Sequence, residues 1–242
     1  MHKTKKILLI SSITIILILI IISSIIIYNK KTSELFDQKY NKMNANYKEV
    51  LFSSGQEGNN TTELMNEYEE SFLIFYKSYA TKPIVPYSKD LKWKQSLDSM
   101  NSSIYEAKLL IESNKFIDAH YELENIRKEW QVVFQRNNVT MLGFYLTEYH
   151  DVMEIAIDEA DAEKYDELEI TCDKLLMLWQ NVDSIKVQFS SDDLLDFEEK
   201  KKANSINLQE LCSATKNLDI IVIKDKASNL KRLFVSLYLK YG

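Results

Sequence analysis

Two histidines, His120 and His150, carry most of the chemistry this chain could offer, and each is followed four residues later by a glutamate, Glu124 and Glu154. On a helix that spacing sets imidazole and carboxylate on one face about 6 Å apart, where both can reach a single cation. The helices that carry the two pairs are consecutive. Counted from a turn near Asn138, His120 lies eighteen residues before it, Glu124 fourteen before, His150 twelve after and Glu154 sixteen after. At about 1.5 Å per residue the four side chains occupy levels within roughly 9 Å of one another. A third pair, Glu169 and Asp173, falls at the same levels on the next helix. Imidazoles and carboxylates from neighbouring helices are how helical bundles hold divalent transition ions such as Zn, Fe, Mn or Cu.

The same residues have a structural reading. His120, Glu124, Glu169 and Asp173 each directly follow an apolar position (Ala119, Leu123, Leu168, Cys172), so they sit on the flank of a stripe, where solvated charge is ordinary. Only His150 shares its stripe with apolar residues, Leu146, Met153 and Ile157, and should point inward, where a hydrogen-bonded core histidine is the commoner case. Both histidines also precede their glutamates, whereas ferritin-like sites use Glu-x-x-His. Metal binding is therefore the alternative reading, and ligation of a b-type haem ranks below it, because neither histidine has a Met or His partner at bundle spacing. No GxSxG, HExxH, CxxC or glycine-rich phosphate loop occurs. Absence of such motifs favours a non-enzymatic module that binds a partner or ligand at the cell envelope.

The elements that position these residues should all be helices. Four glycines and two prolines in 242 residues leave few breakers. Phe116, Ala119, Leu123, Ile126, Trp130 and Val133 recur at steps of three and four, as do Tyr165, Leu168, Cys172, Leu175, Trp179 and Val182. The pattern predicts an all-α protein with helices over 33–53, 62–80, 91–112, 115–136, 140–161, 164–187, 192–216 and 219–240, joined by short turns that make neighbours antiparallel. Trp130 and Trp179 should be core residues, and Trp93 opens a helix beside a proline-containing loop.

Ahead of these helices, residues 7–28 contain neither charge nor proline. A helix of that length spans a hydrocarbon core roughly 30 Å thick. Only Ser23 and Ser24 offer small residues for a signal-peptide cleavage site, and three isoleucines follow them at once, so the segment is expected to stay as a transmembrane anchor. Lys3, Lys5 and Lys6 in the tail of residues 1–6 favour a cytoplasmic N-terminus, with the bulk of the chain extracytoplasmic at a cell membrane. Removing those three lysines leaves 27 basic against 36 acidic residues, a net charge of about −9 that repels nucleic acid and anionic headgroups and so weakens the case for DNA, RNA or peripheral lipid binding.

A shift of 104 positions superimposes Phe75 on Trp179, Trp93 on Phe197, Phe116 on Ile220 and Trp130 on Phe234. That match predicts two copies of a four-helix unit, 33–138 and 139–242. Cys172 and Cys212, the only cysteines, cannot be assigned as paired or free from their separation.

Overall fold

Helices begin and end close to where the apolar periodicity and the turn residues place them. The computed structural model describes residues 2–187 and 189–242, with side chains from Leu19 onward. Among the described residues there are eight α-helices and no strand: α1 (His2–Gly55), α2 (Thr61–Tyr79), α3 (Trp93–Glu112), α4 (Phe116–Arg136), α5 (Leu142–Asp161), α6 (Tyr165–Ser184), α7 (Ser191–Lys216) and α8 (Ile220–Tyr241). A single 3-10 turn, Tyr87–Lys89, interrupts the α2–α3 connection.

One difference lies at the start. The apolar segment and the first bundle helix, expected as two elements, are one helix, α1. Residues 29–32 contain neither glycine nor proline, and the Thr32 hydroxyl donates to the Tyr28 carbonyl at 2.8 Å, so nothing halts the backbone ladder. Much of the anchor expected over residues 7–28, and the side chains of the tail 1–6, lie outside the described side chains. Among the described residues no helix is long and apolar enough to cross a membrane.

Five turns end helices in one way. Glu57, Asn114, Asn138, Glu163 and Leu218 take φ between 53° and 59°, the left-handed region. In each, the next residue's N–H reaches back five positions, as Lys115 to Leu110 O (2.8 Å), Val139 to Phe134 O (2.9 Å) and Asp219 to Ala214 O (2.9 Å). This double closure satisfies the last carbonyls of a helix and reverses the chain. Glycine is the usual residue there, yet no glycine in the described chain has a positive φ.

The chain divides into two compact units, Met1–Glu122 and Leu123–Gly242, so the division falls inside α4 and not at the turn near Asn138. In the first unit α1 and α2 run antiparallel in close register. Ser53 meets Thr61 (2.7 Å between hydroxyls), Tyr47 packs on Tyr68 (5.4 Å between ring centres) and Phe36 packs on Tyr79 (4.9 Å). Trp93, which opens α3 beside the proline-containing loop, is buried, with Nε1 donating to the Tyr79 carbonyl at 2.8 Å. In the second unit α5, α6, α7 and α8 touch in a closed ring, α5 to α6, α6 to α7, α7 to α8 and α8 back to α5, which is a four-helix bundle. Its core holds Leu146, Tyr149, Met153, Leu168, Leu175, Trp179, Phe197, Leu208, Leu230 and Phe234.

Polar residues complete that core on α7. Asn204 is fully buried and donates to the carbonyls of Lys200 (3.0 Å) and Leu233 (3.1 Å), and Asn207 donates to Lys226 O at 2.9 Å. These amides tie α7 to the α8 backbone. They also occupy inward positions, which blurs the apolar stripe of α7.

Candidate functional site

A charged cluster lies in the second unit, where the C-terminal half of α4 meets α5 and Lys231 of α8 approaches α5. Arg127, one of only three arginines in the chain, is 6% exposed. Its Nε donates to Glu124 Oε2 at 2.7 Å, its Nη2 to Asp151 Oδ1 at 2.7 Å, and its Nη1 to the Thr147 carbonyl at 3.3 Å. Nη2 also pairs with Glu124. Glu124 and Arg127 are three apart on α4, so the carboxylate and the guanidinium share a face, while Asp151 comes from α5.

His150 stands beside this group. Its Nδ1 is 3.7 Å from Asp151 Oδ1 and its Nε2 is 3.3 Å from Glu154 Oε1, while its ring lies 5.3 Å from that of Phe234. Burial disfavours the imidazolium, but Asp151 and Glu154 outweigh burial and hold the His150 pKa above its ordinary value. The carboxylates answer in kind. Burial opposes ionisation of Asp151, yet His150 and Arg127 bring it down to about 2; burial likewise opposes ionisation of Glu154, and His150 with Lys231 brings it down to about 2. Lys231 on α8 closes the series 3.0 Å from Glu154. Burial pushes the Tyr238 hydroxyl, behind the cluster, up to about 12.

The six residues singled out for metal binding are therefore distributed as follows. Glu124, His150 and Glu154 belong to this network. Glu169 is exposed, and Asp173, also exposed, pairs with Lys216 at 3.4 Å. His120 belongs to the first unit, where its Nδ1 is 2.9 Å from the Leu51 carbonyl and 3.4 Å from the Ser54 hydroxyl. Those groups close the last turns of α1, whose carbonyl ends favour a donor and a positive charge. Gly55 makes room: a Cβ there would stand 3.1 Å from the His120 ring. Among the described residues no three His, Cys, Asp or Glu side chains form a group arranged to hold a metal ion.

The network alternates acid and base across three helices, and its carboxylates already face cations. Such an arrangement clamps α4 and α8 onto α5 and includes one imidazole, His150, whose pKa Asp151 and Glu154 hold above its ordinary value. Arg127, Asp151 and Lys231 escaped the sequence reading. The signal for Arg127 was available: it lies four residues after the core position Leu123 in a chain that uses lysine far more often than arginine, and a guanidinium is the cation suited to pairing under burial. For Asp151 and Lys231 no local signal exists.

Cys172 and Cys212 are buried free thiols on α6 and α7. Their mutual hydrogen bond, with burial added, raises the Cys212 pKa. No protein-family model, characterised protein or solved structure matches this chain.

Proposed function

We propose that the chain is a single-span, membrane-anchored helical module whose body faces the extracytoplasmic side and binds a partner at the cell envelope without catalysing a reaction. The observation that carries this reading is α1 itself. Residues 19–28 are exposed on every side, and eight of the ten are Leu, Ile or Tyr, whereas Phe36, Met43, Tyr47 and Val50 further along the same helix are buried. A bare apolar stretch continuous with a folded domain finds its natural environment in hydrocarbon.

Partner binding draws on a smaller observation. Ile170 and Met177, two turns apart on α6, are 74% and 59% exposed. We also read the two halves as copies of one unit. Under a shift of 104 positions the starts of α2 and α6, the ends of α3 and α7, and the starts of α4 and α8 coincide, and so do the buried residues Phe75 with Trp179, Trp93 with Phe197 and Trp130 with Phe234. Divalent-metal binding, the alternative, has the closeness of His150 and Glu154 in its favour. Against it, Arg127 and Lys231 already neutralise the carboxylates an ion would need.

Alkaline carbonate treatment of membranes carrying the full chain tests the anchor, and protease added from outside tests the orientation. Retention in the pellet with loss of the helical body to protease is expected. Release into the supernatant, or a mature N-terminus between Ser24 and Lys31, would sink the reading. A photo-crosslinking residue at Met177 in intact cells should give a discrete adduct; none at either Met177 or Ile170 would remove the partner surface from α6.

A further inference from the structure

The α2–α3 connection, residues 80–92, displays a pairing of residue types that the fold does not use. Leu91 is fully exposed, at 101%, and Val85 is 76% exposed. Between them and around them Lys82, Lys89 and Lys92 are exposed in a chain whose net charge is −6. The acid of this segment, Asp90, accepts the Lys92 backbone N–H at 2.9 Å and so is engaged in shaping the turn.

The connection is held in place. Tyr87 and Trp93 are buried and stack at 4.7 Å between ring centres, and both pack on Phe36 of α1, at 5.4 and 6.4 Å. Phe36 thus marks the level at which the connection leaves and rejoins the first unit. On the antiparallel hairpin, each step toward the N-terminus of α1 corresponds to a step toward the C-terminus of α2: Tyr47 with Tyr68, Tyr40 with Phe75, Phe36 with Tyr79. The chain that continues past Tyr79 therefore runs beyond Phe36 toward Tyr28 before Tyr87 and Trp93 return it. Tyr28 is eight residues from Phe36, about 12 Å along the helix axis. The interfacial layer outside a hydrocarbon core is itself roughly 5–8 Å deep on each side.

We propose that residues 80–92 form a second membrane-contact site, in which Val85 and Leu91 enter the interface of the bilayer crossed by α1 and Lys82, Lys89 and Lys92 pair with the phosphates of anionic phospholipids. This inference rests on the anchored reading of α1. Two exposed apolar side chains flanked by lysines match an interface that is apolar below and anionic at its surface. The contact fixes the tilt of the first unit against the membrane, because the anchor alone leaves the helix free to lean.

The test uses the full chain reconstituted in phosphatidylcholine vesicles with and without phosphatidylglycerol. A fluorophore is attached at Val85→Cys, Leu91→Cys or, as a distal control, Asn59→Cys in the exposed α1–α2 turn; Cys172 and Cys212 are buried, so the introduced thiol is the reactive one. With quencher-bearing lipids, emission at positions 85 and 91 is expected to fall by about twofold or more, more strongly with phosphatidylglycerol and less so at high salt, while position 59 stays unchanged. Lys82→Glu, Lys89→Glu and Lys92→Glu together should abolish the phosphatidylglycerol dependence. Carbonate-resistant protein whose labels at 85 and 91 are quenched no more than at 59 overturns the contact site and leaves the anchor standing. Release of the protein by carbonate overturns both. Protection of these labels by an added protein, without quenching by lipid, assigns the surface to a protein partner and overturns the proposal.

Discussion

Arg127 and Asp151 face each other across the α4–α5 junction with Nη2 and Oδ1 2.7 Å apart. The guanidinium is 6% exposed, while the Asp151 side chain keeps 41% of its exposure. Replacing Arg127 by methionine leaves the carboxylates of Glu124 and Asp151 facing each other with no cation between them. The expected loss is on the order of 3 kcal/mol, the lower part of the range for a broken buried pair, since Asp151 is screened by solvent. Adding Glu124→Gln and Asp151→Asn to Arg127→Met should restore at least half of the loss. Denaturant midpoints of the wild type and the two variants at unchanged slope check this, and an undiminished loss in the triple variant would show that Arg127 acts through packing alone.

The same cluster sets a pH window. His150 has a raised folded-state pKa, so its contribution is fully present below the unfolded value of 6.5 and is lost as pH rises through the folded value. Asp151 and Glu154 have depressed values, so theirs are present above the unfolded values of 3.8 and 4.5 and are lost as pH falls toward about 2. Stability attributable to the cluster should therefore peak between pH 4.5 and 6.5. His150→Gln should flatten the alkaline limb and keep the acid one. A melting profile whose alkaline limb is identical in wild type and variant would remove His150 from this account.

Leu218 holds φ at 53° in the α7–α8 turn and is 62% exposed. A left-handed conformation costs a side chain with a Cβ about 1–2 kcal/mol that glycine escapes. Leu218→Gly surrenders little burial, and the greater freedom of glycine in the unfolded chain offsets part of the gain. A net stabilisation of about 0.5–1 kcal/mol is expected, with the reverse sign for Leu218→Val, because β-branching makes that region worse. Thermal melts of the two variants read the difference directly.

Trp130 and Trp179 are both buried, at 7% and 3% exposure. Trp179 packs edge-on against Tyr149 at 4.9 Å, and Trp130 stacks on Phe134 at 5.5 Å. Either change to alanine should cost about 3–5 kcal/mol through lost burial and a cavity. Trp179→Phe should cost far less, since the Trp179 indole N–H has no hydrogen-bond partner to lose. Losses below about 1 kcal/mol for the alanine variants would mean that these stripes do not carry the core.

Helix positions and the main core residues were legible in the sequence by itself. Both depend on short-range facts: a backbone ladder that closes over four residues, a stripe that recurs every three or four, and asparagine at two of the five left-handed turns, Asn114 and Asn138. Trp130, Trp179 and His150 point inward as their phases require. The continuity of α1 was also written there, in the lack of any breaker between Tyr28 and Ser33, but a change from apolar to polar composition suggested a boundary where the backbone has none. What the tertiary structure alone decided is the partner of each flanking polar residue. His120 and Glu124 stand one turn apart on the same flank of α4, yet one closes the end of α1, sixty-nine positions earlier at Leu51, and the other joins Arg127. A flank position reads as solvent, ion pair or ligand with equal ease until a neighbouring helix is set against it. That neighbour is chosen by burial summed over many residues, and no spacing along one helix records the choice.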